Sequence, residues 1–117
     1  MADPHMKDCV IVVTGAGLGQ AEPALGQRVL GNYFRALAEM GMQPQAICLY
    51  TGGVKMVADD SPVLEPLRAL AAGGVPVIAC RTCLEHYGLL DRVAVGEIGT
   101  MAQVIELQAA AGKVVTL

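Results

Sequence analysis

A three-layer α/β sandwich, with a mostly parallel sheet of four to five strands flanked by helices, is the fold this sequence predicts. Three observations point to it. Short apolar runs rich in β-branched residues recur along the chain, segments with apolar residues at helical spacing separate them, and glycines or a capping signal mark the junctions. The resulting order β-α-β-α-β-(α/β)-α-β, with connections long enough for right-handed crossovers, favours parallel pairing. At 117 residues the chain fits one domain able to bury a core without disulfides or metals.

Cys9-Val10-Ile11-Val12-Val13 reads as a buried first strand, stopped by the turn-forming run Gly15-Ala16-Gly17-Leu18-Gly19. A helix over Leu25 to Met40 follows, with Leu25, Val29, Tyr33, Leu37 and Met40 at helical spacing and Gly41 as its stop signal. Ala46 to Tyr50 repeats the strand pattern and ends at Gly52-Gly53. Ser61-Pro62 offers a cap and first residue for a second helix that closes at Gly73-Gly74, although Pro66 delays regular helix to Glu65 or Pro66. Val75 to Ala79 is the third strand and delivers Cys80. Beyond Cys83 the pattern predicts a short helical piece over Leu84 to Tyr87 and a short strand over Arg92 to Val95. Thr100-Met101-Ala102-Gln103 matches a capping box that opens a helix through Ala110, and Lys113 to Leu117 forms the last strand.

Composition narrows the function classes. The hydrophobic share is 54% and the mean hydropathy +0.50, yet no apolar stretch approaches the roughly 18 residues of a membrane helix. No membrane association is expected, and the apolar surplus predicts a homo-oligomer that covers surface so small a domain cannot hide. A net charge of −3 with one Phe, three Tyr and no Trp supplies neither a phosphate-neutralising field nor stacking platforms, which argues against nucleic acid. No charged and apolar leader precedes the first strand, so the expected location is cytoplasmic, where four cysteines act as thiols or metal ligands rather than structural disulfides. Residues 1–5 ahead of Met6 read as a remnant of recombinant expression, leaving 6–117 as the single domain and His5 outside any site.

Cys80-Arg81-Thr82-Cys83 places two thiols where a buried strand should end, the edge at which parallel α/β sheets carry their chemistry. Flanking Arg81 and a following helix N-terminus are expected to favour thiolate, the form that attacks sulfur. His86, three residues past Cys83, shares its helical face and as imidazolium would lower the thiol pKa; its alternative is a half-exposed surface histidine. Glu85, turned inward, would act in the opposite direction. The pair admits persulfide carriage, dithiol redox or metal binding, and Cys80, Cys83 and His86 reach three zinc ligands at most, so no metal and no cofactor are expected. Whether such a carrier counts as an enzyme is left open by the residues. Cys9 and Cys48 lie inside apolar strands and belong to the core. Gly15, Gly17 and Gly19 form a loop on the same sheet edge, a candidate wall of the thiol pocket with Thr14, Gln20 and Glu22 as its polar members. The loop lacks the third glycine of a dinucleotide turn, which would fall at Gln20, and the second strand ends in Leu49-Tyr50-Thr51 with no acidic ribose ligand. Asp59-Asp60 reads as a solvated turn ahead of a helix.

Across Met6 to Leu117 the chain resembles the DsrE/DsrF-like family, and within it the DsrE-like domain of the YedF group of sulfurtransferase-like selenium metabolism proteins. The carriers are Gly17-Leu18-Gly19, Leu25-Gly26, Gly53-Val54, Ser61-Pro62-Val63-Leu64, Gly74-Val75, Cys80-Arg81-Thr82-Cys83-Leu84, Val95-Gly96, Met101 and Lys113-Val114-Val115. The resemblance implies a small oligomeric α/β domain that relays sulfane sulfur on a strand-end cysteine. In the sulfur-relay branch that cysteine stands eight residues before a glycine, which matches Cys80 and Gly88 and makes Cys80 the carrier, with Cys83 as the resolving thiol. The implied partners are a cysteine desulfurase or a TusA-like carrier as sulfur donor or acceptor. Two departures stand out. YedF-like chains more often read Cys-Gly-Thr-Cys, so Arg81 replaces a glycine whose backbone freedom it lacks, and the TusA-like domain with its Cys-Pro-x-Pro motif is absent, so a separate carrier is expected in its place.

Overall fold

The computed structural model describes residues 5–117; the remaining residues of the stretch read as an expression remnant, 1–4, lie outside the described residues. The elements run β1 (Cys9–Val13), α1 (Pro23–Glu39), β2 (Ala46–Leu49), a 3-10 turn (Thr51–Val57), α2 (Leu64–Ala72), β3 (Val77–Cys80), α3 (Arg81–His86), β4 (Glu97–Gly99), α4 (Met101–Ala110) and β5 (Lys113–Thr116). The strands form one five-stranded sheet in the order β4-β3-β2-β1-β5, and every pairing is parallel.

Because side chains alternate along a strand, each central strand feeds two cores. Ile11, Val13, Ile47, Leu49 and Val77 face a layer built by Leu30, Phe34 and Leu37 of α1 and Leu67 and Leu70 of α2. Val10, Val12, Ala46 and Cys48 face the other way, onto Val104 and Leu107 of α4. Leu30, Phe34 and Leu67 are fully buried, each contributing about 1.5–3 kcal/mol relative to exposure. The first layer is thick and the second rests on one helix. That helix is started by the predicted capping box: Thr100 Oγ1 accepts from the Gln103 N–H, and Gln103 Oε1 accepts from the Thr100 N–H at 2.8 Å. The first three helices each end with a glycine in the left-handed region just past the cap, Gly41, Gly74 and Gly88, which is why the glycine stop signals were legible.

Three expectations need correction. The inward stripe of α1 is Gly26, Leu30, Phe34 and Leu37; Leu37 is buried as read from spacing, but the earlier positions are shifted by one residue, so Leu25, Val29 and Met40 are exposed. The rotation is set by a close backbone approach: a Cβ on Gly17 would lie 2.8 Å from the Gly26 carbonyl carbon, so Gly26 must face the loop. The segment Arg92–Val95 is no strand. Its backbone instead bonds the end of the 3-10 turn, through Asp59 N–H to Arg92 O and Ala94 N–H to Val57 O, forming a single antiparallel bridge between Ala58 and Val93. The edge strand lies further on at Glu97–Gly99, entered by a left-handed turn at Gly96. Finally, α3 begins at Arg81 rather than Leu84, directly on the end of β3.

Candidate functional site

β3 passes into α3 without a loop, so the two cysteines sit on either side of a strand-to-helix junction. Cys80 is the last strand residue, with extended backbone, a side chain that makes no capping hydrogen bond, and 4% exposure. Cys83 lies one helical turn on and is half-buried. Both are free thiols, near enough along the junction for Cys80 to raise the Cys83 pKa. Both cysteines therefore stand at the C-terminal sheet edge, and the more exposed residue of the two is Cys83.

A third residue completes the arrangement. Thr51, the first residue after Tyr50 at the end of β2, donates its backbone N–H to Cys83 Sγ at 3.0 Å. Its φ of 50° is the sole positive value at a non-glycine position among the described residues. The hydroxyl stands 2.6 Å from the Thr14 carbonyl and 2.7 Å from the Tyr50 carbonyl, which tethers the residue to the end of β1 as well as to its own strand. Two residues on, Gly53 lies so close to β1 that a Cβ there would fall 2.0 Å from the Val13 carbonyl oxygen. The segment after β2 thus meets the Cys83 sulfur directly, and the end of β1 braces Thr51 from behind. Sequence reading counts Thr51 only as the place where an acidic ribose ligand is missing; the one local signal is a β-branched residue set between a strand and Gly52-Gly53.

The electrostatics differ from expectation. Burial pushes the Cys83 thiol up, the Thr51 N–H pulls it back, and the hydrogen bond and charge of Cys80 push it up again, for a net rise. Arg81 does not counter this, because it pairs with Glu85 one turn along at 3.2 Å, both side chains more than half exposed. Glu85 accordingly points outward as well. His86 is exposed and meets Tyr87 edge-on at 4.9 Å, the surface role rather than the thiol-activating one. Thr82 is exposed. Arg81 adopts helical backbone, so the replacement of glycine carries no conformational cost. Cys9 and Cys48 are fully buried as expected, and burial raises both thiols, Cys48 to about 11.

Gly15, Gly17 and Gly19 do lie at this sheet edge, but their packing serves the backbone. Gly17 abuts Gly26, Leu18 N–H bonds the Gly26 carbonyl at 2.9 Å, and Gly15 lies against Gly52. Of that loop only Ala16 lines the neighbouring groove of about 470 Å³, which Gln27, Lys55, Ser61 and Tyr87 also border and which neither cysteine lines. Lys55 Nζ stands 4.4 Å over the Tyr87 ring at its mouth. Gln20 and Glu22 are exposed. Asp59-Asp60 is more than a solvated turn: Arg92 Nε donates to Asp59 at 3.0 Å and its terminal nitrogen lies 3.4 Å from Asp60. Among the described residues no three His, Cys, Asp or Glu side chains gather as a metal site. No helix among them is long and apolar enough to cross a membrane.

Comparison with known proteins gives a family and a fold. The DsrE/DsrF-like family matches residues 5–117. No curated protein matches the chain. Among solved structures, the YchN protein from E. coli is similar with a TM-score of 0.70 at 24% identity, over 96% of this chain and 100% of that one. The conserved protein of unknown function BT1422 from Bacteroides thetaiotaomicron is similar with a TM-score of 0.68 at 18% identity, over 94% of this chain and 95% of that one. Both likenesses extend to the parallel α/β architecture.

Proposed function

The chain belongs to the DsrE/DsrF-like family, and from that premise we propose that it carries sulfane sulfur as a persulfide on the Cys80 and Cys83 pair. The observation that supports this reading best is the pair itself: two free thiols at the C-terminal edge of a parallel sheet, Cys80 at the strand end and Cys83 within the first turn of the following helix. In loading, the Cys80 thiolate attacks the terminal sulfur of a donor persulfide, the donor leaves as thiolate, and Cys80 becomes a persulfide. In discharge, the Cys83 thiolate attacks Cys80 Sγ, the terminal sulfur leaves as hydrosulfide, and a Cys80–Cys83 disulfide forms. A dithiol reductant then supplies two electrons to restore both thiols. Burial of Cys80 shields the cargo from water and from stray thiols.

The finer resemblance to YedF-type domains extends this proposal to selenium as a second cargo, with a cysteine desulfurase or TusA-like carrier as partner in the cytoplasm. Exposed Ile98, Met101 and Ile105 supply apolar surface for assembly into a homo-oligomer. A second reading, a non-catalytic redox-sensing module, draws on the same pair of free thiols.

The test is intact mass spectrometry after incubation with a cysteine desulfurase and cysteine, with and without reductant, on wild type, Cys80→Ser and Cys83→Ser. A reductant-sensitive gain of one sulfur that Cys80→Ser abolishes and Cys83→Ser retains is the expected result. No gain in any form, with a Cys80–Cys83 disulfide forming under mild oxidant, would replace carriage with redox sensing.

A further inference from the structure

We propose that Thr51 is the positioning residue of the thiol pair, holding a left-handed backbone so that its N–H is aimed at Cys83 Sγ and stabilises negative charge on that sulfur. The left-handed region is costly for a β-branched residue, and such a conformation persists only where surrounding contacts over-determine it. Those contacts are present: the hydroxyl bonds to the Thr14 and Tyr50 carbonyls, and Gly53 pressed onto Val13 fixes the turn that follows. Glycine would adopt the same φ without cost, and two glycines follow directly. What threonine adds is the hydroxyl, which anchors the peptide N–H against the end of β1 while Cys83 receives it at 3.0 Å.

The chemistry gives this N–H a use. Cys83 attacks as thiolate, a form that burial and the neighbouring Cys80 both oppose. Other charged groups around it are committed elsewhere. Arg81 holds Glu85, His86 lies against Tyr87, and Lys55 of the packed 3-10 turn sits over the Tyr87 ring. The fixed amide is thus the donor that favours charge on Cys83. The inference rests on the reading of Cys83 as resolving thiol, but its test does not require sulfur transfer.

In the full chain with Cys80→Ser, where Cys83 is the sole accessible thiol, the rate of Cys83 alkylation by iodoacetamide is followed by mass spectrometry from pH 6 to 10.5. Thr51→Val, which keeps the shape and loses the hydroxyl tether, is expected to raise the midpoint by about one pH unit and slow alkylation at pH 8 about tenfold. Thr51→Ser retains the tether and is expected to behave as the parent. Should Thr51→Val fail to fold, Thr51→Gly removes both tether and strain and is expected to give the same rise. An unchanged midpoint in the folded variants, or a rise in Thr51→Ser equal to that in the untethered variant, overturns the proposal. Failure of wild type to load a persulfide sinks the relay reading while leaving this result intact.

Discussion

The backbone N–H of Thr51 meets the sulfur of Cys83 at 3.0 Å across 32 residues of sequence. The contact joins the end of β2 to the start of α3, and the Thr51 hydroxyl extends it to the end of β1. The sulfur accepts from the backbone of one distant segment that is itself tethered to another, so its reactivity depends on how those segments pack.

The four cysteines should separate by access. Cys83 is expected to react first with a small alkylating reagent, Cys80 more slowly, and Cys9 and Cys48 only after denaturation, because both are fully buried in the strands. Peptide mapping after timed labelling checks the order. Labelling of Cys48 at the rate of Cys83 in the native protein would contradict the packing of α4 over the second sheet face.

Alkaline pH should weaken the fold through Cys48. Its thiol is raised from 9.0 to about 11 by burial, so the unfolded chain ionises first and the native state keeps its proton longer. That contribution is whole below about pH 9 and is lost as pH rises toward 11, amounting to roughly 2–3 kcal/mol for a shift of this size. Urea denaturation across this window should show the falling stability, and Cys48→Ala should flatten the slope.

Gly53→Ala should be strongly destabilising. Its Cβ would sit 2.0 Å from the Val13 carbonyl oxygen, a backbone atom that cannot swing aside. The expected loss is about 3 kcal/mol, at the upper end of overpacking costs. The displaced turn should also carry the Thr51 N–H away from Cys83, so thermal denaturation and the alkylation profile should change together.

Thr100→Ala tests the thin second layer. Removing the capping oxygen should cost about 1 kcal/mol and lower Tm by roughly 4 °C. Because α4 covers Val10, Val12 and Cys48, fraying at its first turn should also speed native-state labelling of Cys48.

Arg81→Ala should leave the thiols nearly unaffected. The guanidinium is engaged by Glu85 in an exposed pair, so the alkylation rate of Cys83 should change by less than about twofold. A larger drop would restore the guanidinium as a thiolate-stabilising group.

Much of the fold was legible because it rests on local signals. The five residues of β1, the glycine stops of the helices and the capping box at Thr100 are each written in a few consecutive side chains, and alternation of strand and helix then leaves little choice but parallel pairing. The position of Cys80 at a strand end followed from the same pattern. The sequence by itself determined the α/β class, the cores holding Cys9 and Cys48, and the sheet edge where the two thiols stand. Tertiary structure alone decided the rest. It turned α1 by one residue so that Gly26 could meet Gly17, moved the edge strand from Arg92–Val95 to Glu97–Gly99, paired Arg81 outward with Glu85, and set Thr51 against Cys83. Those outcomes depend on which backbones approach within a few ångströms of one another, and such contacts link residues whose spacing along the chain carries no periodic signal.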